Sequence, residues 1–306
     1  MDRFEAMRMV LAAAESGSLS KASRNLRLPL ASVSRKVAEL EAHLNTTLLI
    51  RSAKGLELTP AGRTYVTAAK AILEQLSEAE RAASGEYTEP KGDLVVTAPI
   101  MFGRLHVLPV VTSFLAAYAD VAADLVLTDR VTHFLDDQVD VALRIGMLPD
   151  SDLVATRLGA VRHVVCASPD YLARKGAPAE PSDLARHDVV SFRSVSAPAS
   201  WTFERDGENV TASFRSQLGV NTVDAAIDAG LAGTGLVRAM SYQIAGLVRE
   251  GRLKIVLETF EPAPRPVHLI YDRKNRLPLK LRAFVDFAVP RLRDRLAQAA
   301  LPINQS

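Results

Sequence analysis

The stretch "SLSKASRNLRLPLASVSRKVAELEAHL", from Ser18 to Leu44, decides the fold and the chemistry of the first part of the chain. It packs serines and cations closely together and holds no acid before Glu39. The cations are Lys21, Arg24, Arg27, Arg35 and Lys36. Because the whole chain has a net charge of only +2, these residues form a local basic patch in a nearly neutral protein.

Helical periodicity runs through and before this stretch. Apolar residues at helical spacing from Phe4 to Ala14 predict an amphipathic helix that ends at Gly17. Ser18 or Ser20 can cap a short second helix. Pro29 fixes the start of a third helix, and Asn45 stands where a left-handed residue would end it. The buried stripe predicted for the third helix is Val33, Val37, Leu40 and Leu44. Three helices with a tight turn between the second and third predict a helix-turn-helix.

The segment "TTLLIRSAKGLELT", residues 46–59, contains two β-prone runs around Ala53-Lys54-Gly55. This pattern predicts a hairpin that carries Arg51 and Lys54 near its tip, as a wing beside the helices. The first domain is therefore predicted to be a winged helix-turn-helix over residues 1–59.

A long helix is predicted from Pro60 to about Ala83. Its apolar and small residues follow the a/d spacing of paired helices, and about 24 residues would span about 36 Å. These positions are Tyr65, Ala69, Ile72, Leu76, Ala79 and Ala83. Self-association through this helix is favoured over the alternative that it docks on its own chain. With the Gly- and Pro-containing segment "SGEYTEPKGD", it forms a predicted linker over residues 60–90.

The remaining residues, 91–306, alternate between strand-like and helical runs. The strand-like runs include "LVVTA", "ADLVLT", "VDVALRI", "HVVCAS" and "RPVHLIY". Helical runs are predicted at Phe102 to Tyr118, Thr222 to Ala232 and Leu279 to Leu296. This alternation predicts an α/β region with largely parallel strands, so the whole chain is of the α + α/β class.

Composition limits the class and the compartment. The chain has 306 residues, 48% of them hydrophobic and 24% charged, as expected of a soluble protein with two or three compact units. A single cysteine, Cys166, favours a reducing cytoplasm over a disulfide framework. The apolar run near the N-terminus is shorter than that of a signal peptide, and no run is expected to cross a membrane.

The basic stretch has the chemistry of a DNA-binding surface. A helix in the major groove needs phosphate donors near its start and side chains that reach base edges over its first two turns. Ser32, Ser34, Arg35 and Lys36 are placed for this, and Ser18, Ser20, Lys21 and Arg24 can contact the flanking backbone. Helix capping and solvated faces explain any one of these residues, but they do not explain a long acid-free interval followed by a basic hairpin.

These residues resemble the winged helix-turn-helix of LysR-type transcriptional regulators. The shared motifs are Gly17 to Ser20, Val33 to Arg35, Leu40 to Glu41, Arg51, and Leu58 to Gly62, in that order. Four later segments are similar to the effector-binding half of the same family: "VDVALRIG", "VVCASPDYL", "VNTVDAAIDAGLAGTGL" and "PLKLRAFVDFAVPRL". The resemblance covers nearly the whole chain.

The resemblance implies a function and partners. It implies a homodimer or homotetramer, joined through the linker helix, that binds partly palindromic double-stranded DNA. It also implies a two-lobed effector domain like a periplasmic solute-binding protein. A small molecule in its cleft would change the spacing of the DNA-binding heads and the access of RNA polymerase. Rival classes are a solute-binding protein, which would need a secretion signal, and an α/β enzyme, which would need a clustered nucleophile, base or metal set.

The chain departs from the family at the start of the recognition helix, where the family commonly has Ser-Gln-Pro. Here the residues are Pro29, Leu30 and Ala31. Proline has no capping oxygen, and leucine cannot make the paired hydrogen bonds that glutamine makes to adenine. Contact of Leu30 with a thymine methyl group is an alternative way to read a base at this position. Asn45 in place of the usual Gly, and "LLIR" before the wing, are conservative changes.

Effector residues are implied by the resemblance alone, which places them at strand ends and at the start of a crossing helix. They are Thr97, Ala98, Pro99, Ile100, Phe102, Thr128, Arg144, Ile145, Asn221 and Thr222. Free backbone N–H groups at helix N-termini favour an anionic effector. The alternatives are that Thr97 and Thr128 merely end strands, and that Arg144 serves a structural ion pair.

Other motifs are assigned no function. "GLAGTG", Gly230 to Gly235, follows a helix rather than a strand and so lacks the geometry of a phosphate loop. Cys166 is expected to be a buried, inert thiol. His133, Asp136 and Asp137 lack a fourth metal ligand. Trp201 is most simply a core residue, although a place near the cleft would make it a fluorescent reporter. No catalytic residue, cofactor or metal is predicted.

Overall fold

The structure is a computed structural model that describes residues 2–52, 55–83, 89–130, 139–192, 199–272 and 278–301. The chain divides into two compact units, one extending to Glu89 and the other beginning at Pro90. The long linker helix belongs to the first unit, which we call the head. We call the second unit the effector unit.

The head contains the elements that its sequence predicts. They are α1 (Arg3–Ser16), α2 (Leu19–Leu26), α3 (Leu30–Leu44), β1 (Leu49–Ser52), β2 (Gly55–Leu58) and α4 (Pro60–Ala83). Gly17 ends α1 with φ +62°, and Asn45 ends α3 with φ +48°, both in the left-handed conformation expected of helix C-termini. β1 and β2 pair antiparallel as the wing.

The core of the head lies between α1, α3 and the start of α4. Met9, Val10, Val33, Val37 and Leu40 are at most 5% exposed. The prediction that Leu44 continues this buried stripe is wrong. Leu44 is the last residue of α3 and is 36% exposed, so the stripe ends one turn earlier, at Leu40.

The first turns of α4 pack against the head itself. Val66 is buried and Tyr65 is half-buried against the core, whereas Ile72, further along, is 40% exposed. Gly62 permits this close approach, because a Cβ atom there would lie 2.0 Å from the Leu48 carbonyl oxygen. The start of the predicted a/d stripe therefore docks on its own chain, and the exposed part begins near Ile72.

The effector unit opens with the first-lobe elements β3 (Gly92–Ala98), α5 (Ile100–Phe102), a π-helical turn (Gly103–Val107), α6 (Leu108–Ala117), β4 (Val121–Leu127), β5 (Val141–Ile145) and β6 (Leu153–Val161). The second lobe contains β7 (His163–Ala167), α7 (Pro169–Lys175), a 3-10 helix (Pro181–Arg186), β8 (Val189–Phe192), β9 (Ala199–Arg205), β10 (Glu208–Phe214), β11 (Ser216–Val220), α8 (Val223–Leu231), β12 (Leu236–Met240), α9 (Ser241–Arg249), β13 (Lys254–Val256) and a 3-10 helix (Glu258–Phe260). β14 (Arg265–Asp272) and α10 (Leu279–Ala299) return to the first lobe.

Each lobe is built on a five-stranded sheet, with strand orders β4-β3-β5-β14-β6 and β11-β8-β12-β7-β13. As the prediction of largely parallel strands expects, four strands of each sheet run in the same direction, but one strand in each runs against them, so both sheets are mixed. β14 runs antiparallel to β5 and β6, and β7 runs antiparallel to β12 and β13. The two reversed strands are those with which the chain enters a lobe, since β7 is its first strand in the second lobe and β14 its first strand on the return to the first lobe. Strand-like runs in the sequence do not reveal these crossings.

Sequence reasoning also missed the β9–β10 hairpin, which forms a separate two-stranded sheet. Asp206 and Gly207 make its turn, with φ +54° and +82°. An Asp-Gly pair between alternating apolar residues is a strong hairpin signal, so the sequence did contain the information.

One segment has the length and apolar composition of a membrane span, contrary to the expectation that none would. It is Ile100–Ala117, which comprises α5, the π-helical turn and α6. Phe102, Val107 and Phe114 within it are fully buried in the core of the effector unit. We therefore assign it as a core helix.

Candidate DNA-binding surface and effector site

The exposed face of α3 carries the residues predicted to read DNA. Leu30, Ser34 and Arg35 are exposed, and Ser32 is half-buried. The Arg35 side chain is 70% exposed and pairs loosely with Glu39, one helical turn further on, at 3.8 Å. It is therefore free to leave this partner for a stronger anion, since exposed i,i+4 pairs contribute little.

Lys36 differs from Arg35. Its side chain is only 20% exposed, and its ammonium lies 3.3 Å from a carboxylate oxygen of Glu5 on α1. The structure thus gives Lys36 a role in holding α3 against α1, in addition to its predicted role on DNA.

The start of α2 lies on the same stretch of chain. Ser18 caps the helix, since its hydroxyl accepts a hydrogen bond from the Lys21 backbone N–H at 3.5 Å. Ser20, Lys21 and Arg24 are exposed. In the wing, Arg51 is exposed, while Lys54 lies outside the described residues.

Pro29 gives the third helix an uncapped start. Its backbone carbonyl accepts from Ser32 and Val33, but among the described residues no side chain caps the first turn. The free N–H groups of a helix N-terminus attract anions, including phosphates. Exposed Leu30, 45% accessible, therefore lies at a helix end suited to a DNA backbone.

A cavity of about 740 Å³ lies between the two lobes of the effector unit. Most of the predicted effector residues line it. These are Pro99, Ile100, Thr128, Arg144, Ile145, Asn221 and Thr222. They lie at the end of β5 or directly after β3, β4 and β11, so strand ends from both sheets converge on one space, as is common in α/β folds.

Three predicted residues lie elsewhere. Thr97, Ala98 and Phe102 are fully buried and are not part of the cavity wall. Phe102 packs against His106 and Tyr242, with ring centroids 5.1 and 5.4 Å away. Thr97 and Ala98 lie on β3, which is an inner strand of its sheet. Phe102 is the last residue of α5 and packs in the core.

Sequence reasoning missed Arg238, His163 and Phe214, which all line the cavity. Arg238 interrupts the apolar strand "LVRAM", and a charge inside a buried strand was the available signal. Trp201 is half-buried, packs against the core of the second lobe and also lines the cavity, so both interpretations of it hold in part.

Arg238 is the most informative of these residues. Burial, and next the nearby Arg265, lower the pKa of its guanidinium. It donates a hydrogen bond to the Thr202 carbonyl at 2.8 Å, yet it makes no ion pair with any carboxylate in the described part of the chain. A half-buried cation without an anionic partner is costly, and a bound anion would relieve that cost.

Of the two neighbouring groups, Arg144 adds to this positive field and His163 does not. Burial lowers the pKa of Arg144, which donates to the Leu143 carbonyl at 3.0 Å. Burial, followed by Arg238 and Arg265, lowers the pKa of His163 to about 4, so this imidazole is neutral at pH 7.

The two acids in the wall are already occupied. Asp129 accepts a hydrogen bond from the Ile100 backbone N–H at 3.1 Å, and Asp224 pairs with Arg104 at 3.3 Å. Their charges are engaged away from Arg238, which leaves the cavity suited to an anion.

Comparison with known proteins agrees with both halves of this description. Residues 4–63 match the bacterial regulatory helix-turn-helix protein, lysR family, and residues 88–293 match the LysR substrate binding domain. The chain belongs to the LysR family.

Relatives match nearly the whole length of this LysR-type regulator. An HTH-type transcriptional repressor of Pseudomonas aeruginosa is 32% identical, with 94% of this chain and 92% of the relative covered. The HTH-type transcriptional regulator YhjC of Escherichia coli is 33% identical, with 94% and 97% covered.

Solved structures show the same architecture. CrgA of Neisseria meningitidis is 28% identical, with a TM-score of 0.59 and coverage of 94% of this chain and 98% of that one. Full-length LysG of Corynebacterium glutamicum, with bound effector Arg, has a TM-score of 0.62 over 96% and 99% of the chains. At 20% identity, LysG shows a likeness of fold alone. This LysR-type regulator is therefore a DNA-binding transcriptional regulator with an effector-binding domain.

The motifs set aside earlier do not change this assignment. Cys166 is buried, and burial raises the pKa of its thiol to about 12, as expected of an inert residue. "GLAGTG" begins inside α8 and ends just before β12, so it does follow a helix. Among the described residues, no group of His, Cys, Asp or Glu could hold a metal, and His133, Asp136 and Asp137 lie outside them.

Proposed function

We propose that this LysR-type regulator binds operator DNA through α2, α3 and the wing, and that a small anion in the cavity of the effector unit modulates this binding. The observation that carries the second half is Arg238, a half-buried guanidinium that lines the cavity without a carboxylate partner among the described residues. The protein acts in the cytoplasm and not as an enzyme, and its effector changes the access of RNA polymerase to the promoter.

The DNA-binding surface is supported by exposure and charge. Ser20, Lys21, Arg24 and Arg35 all lie on the exposed surface of one contiguous stretch. Phosphate contacts from such residues position the protein, and Ser34 and Leu30 at the start of α3 reach base edges. Leu30 contacts a thymine methyl group, which makes this position the main determinant of operator preference.

The self-association surface is supported by the exposed part of α4. Beyond Ala69, which is buried, Ile72 is 40% exposed on a helix of 24 residues. Pairing of this part with a second copy buries that residue and gives a homodimer, and dimers assemble into a homotetramer on longer sites.

The DNA proposal is tested by gel retardation of the promoter of this gene and of its divergent neighbour. Arg35→Ala should weaken retention by roughly 5- to 150-fold, as expected for the loss of one base or phosphate contact. Arg282→Ala is the matched control, since Arg282 is 73% exposed and pairs with Asp286 one turn on at 3.9 Å, as Arg35 does with Glu39. Equal retention of wild type and Arg35→Ala would contradict the proposed surface.

The effector proposal is tested by thermal shift with a panel of small organic anions, since a ligand of the folded state raises the melting temperature. Arg238→Gln should abolish the shift. Arg252→Gln, at an exposed arginine that pairs with Glu250 at 3.4 Å, should retain it. A shift that survives in Arg238→Gln would place the anion elsewhere.

A further inference from the structure

The cavity has one aromatic wall, which comes from the β9–β10 hairpin. Within this hairpin, Trp201 lies directly opposite Ala212, and Phe203 is two residues further along the same face. Phe203 and Ala212 are at most 6% exposed and anchor this face in the core of the second lobe. Trp201 and Phe214 extend the same face to the cavity, with ring centroids 4.7 Å apart and planes inclined at 57°.

The guanidinium of Arg238 is held against this aromatic wall. The Arg238 guanidinium carbon lies 5.6 Å from the Phe203 ring centroid and 6.0 Å from that of Trp201. Its hydrogen bond to the Thr202 carbonyl ties it to the backbone between these two rings. Positive charge and aromatic surface are therefore adjacent and rigidly related, and no spacer separates them.

Large apolar side chains elsewhere in the wall are exposed to the cavity. Phe192, at the end of β8, is 42% exposed, and Ile100, in the first lobe, is 44% exposed. Exposed apolar surface that lines a concave site is stabilised when an apolar ligand covers it. The cavity thus offers an anchor for an anion at Arg238 and apolar contacts beside it.

We propose that the ligand of this cavity is an aryl carboxylate, with its carboxylate on the Arg238 guanidinium and its ring against Trp201 and Phe214. This inference rests on the proposed anionic effector and narrows its chemical class. Because the guanidinium and the indole are only 6.0 Å apart, the carboxylate is attached to the ring directly or through a short link. Aromatic rings gain offset or edge-to-face contacts here that a saturated ring cannot make.

The same geometry selects against other anions. The cavity wall also contains Arg130 and Arg144. A dicarboxylate therefore gains a second cation only if its second charge reaches one of these two arginines. Against Trp201 and Phe192 that charge would lose water without gaining a cation. A sugar acid would place hydroxyl groups on the same apolar surface. Every carboxylate can engage Arg238, so discrimination between ligands comes from the part of the molecule that is attached to the carboxylate.

The test uses the full-length protein and three probes: benzoate, cyclohexanecarboxylate and succinate. Trp201 is the only tryptophan of the chain, so its fluorescence reports on the cavity wall. Benzoate should change this fluorescence saturably and bind about 2- to 10-fold more tightly than cyclohexanecarboxylate, a ratio set by the aromatic contacts. Succinate should bind most weakly. Succinate binding as tightly as benzoate would overturn the inference.

Substitutions in the aromatic wall test the contact with the ligand's ring separately from the contact with its carboxylate. Binding is measured by calorimetry. Trp201→Leu should remove the preference for benzoate over cyclohexanecarboxylate, and Trp201→Phe should restore most of it. Phe192→Ala gives an independent variant should Trp201→Leu not fold, and it should weaken benzoate more than succinate. A preference for benzoate over cyclohexanecarboxylate that persists in Trp201→Leu would contradict the assigned wall, and so would a Phe192→Ala variant that weakens benzoate no more than succinate.

Failure of this inference differs from failure of the proposed function. If succinate binds with full dependence on Arg238 and benzoate binds no better, the ligand is an anion of another class and only the inference is wrong. If none of the three probes binds and DNA retention responds to none of them, both the aryl carboxylate and the anionic effector are contradicted.

Discussion

The head and the effector unit place their functional charges in opposite physical settings. In the head, Arg35 is 70% exposed on one continuous stretch of chain and keeps only a loose 3.8 Å contact with Glu39. In the effector unit, Arg238 is half-buried, and strand ends far apart in the sequence surround it. Exposed cations suit a repeating, water-screened phosphate chain, whereas a buried cation suits one small anion held in one geometry.

The largest expected difference is in salt dependence: salt should weaken DNA binding by the head far more than anion binding in the effector unit. If the head contacts about six phosphates, its affinity for DNA should fall about a thousandfold between 50 and 200 mM salt, because bound counterions are released. Benzoate binding at Arg238 should fall far less, since buried charges are screened weakly. Gel retardation and calorimetry over the same salt series measure both quantities. Parallel slopes would remove the distinction between the two sites.

A core substitution in the head should leave the effector unit intact. Leu40→Ala removes a side chain that is 1% exposed and should destabilise the head by about 2 to 5 kcal/mol. DNA retention should be lost, while Trp201 fluorescence and benzoate binding remain unchanged.

The matched control is Leu44→Ala, on the same helix but 36% exposed. It should retain DNA binding, because little apolar surface is lost. Loss of benzoate binding in Leu40→Ala would show that the two units do not fold independently.

Titration of an acid at the connection between the lobes should change the stability of the effector unit alone. Glu261 lies 3.0 Å from Arg162, and its Oε1 atom is buried without a hydrogen-bond partner among the described residues. Burial, with Glu258 beside it, raises the pKa of Glu261 to about 7 although Arg162 opposes this.

The proton on Glu261 is therefore held more tightly in the folded state than in the unfolded one. Its stabilising effect is complete below pH 4.5, the ordinary pKa of the group, and is lost as the pH rises through 7. Wild type should lose at most about 3 kcal/mol between these values through this carboxyl. Denaturation of Glu261→Gln should lack this loss, so that its stability relative to wild type rises with pH. A constant difference across the window would contradict the raised pKa.

The sequence predicts the head better than the effector unit, because the head depends on local signals and the effector site on contacts between distant residues. In the head, the helix ends Gly17 and Asn45 and the residues of the basic stretch are local signals, and the structure has the elements that they predict. The predicted burial of Leu44 is wrong because burial of the last helical residue depends on which elements pack over it, and local periodicity does not contain that information.

In the effector unit, local signals predicted elements but not their pairing. Thr97 and Phe102 were assigned to the cavity from strand and helix position, but packing turns both into the core. Arg238 and Trp201 meet only because the β9–β10 hairpin folds onto β12, a contact between residues distant in sequence. Such sites depend on tertiary packing, so no window of sequence specifies them.

The smallest expected effects come from a pair of equivalent helix caps, one in each region. Ser18 caps α2 of the head by accepting from the Lys21 N–H, and Thr222 caps α8 of the effector unit by accepting from the Ala225 N–H at 3.3 Å. Replacement of either by alanine should cost about 1 kcal/mol. Ser18→Ala should weaken DNA retention and leave benzoate binding unchanged, and Thr222→Ala should do the reverse, since Thr222 lines the cavity. If both variants weaken DNA retention and benzoate binding equally, the difference between the exposed DNA-binding surface and the half-buried anion site does not extend to the helices that support them.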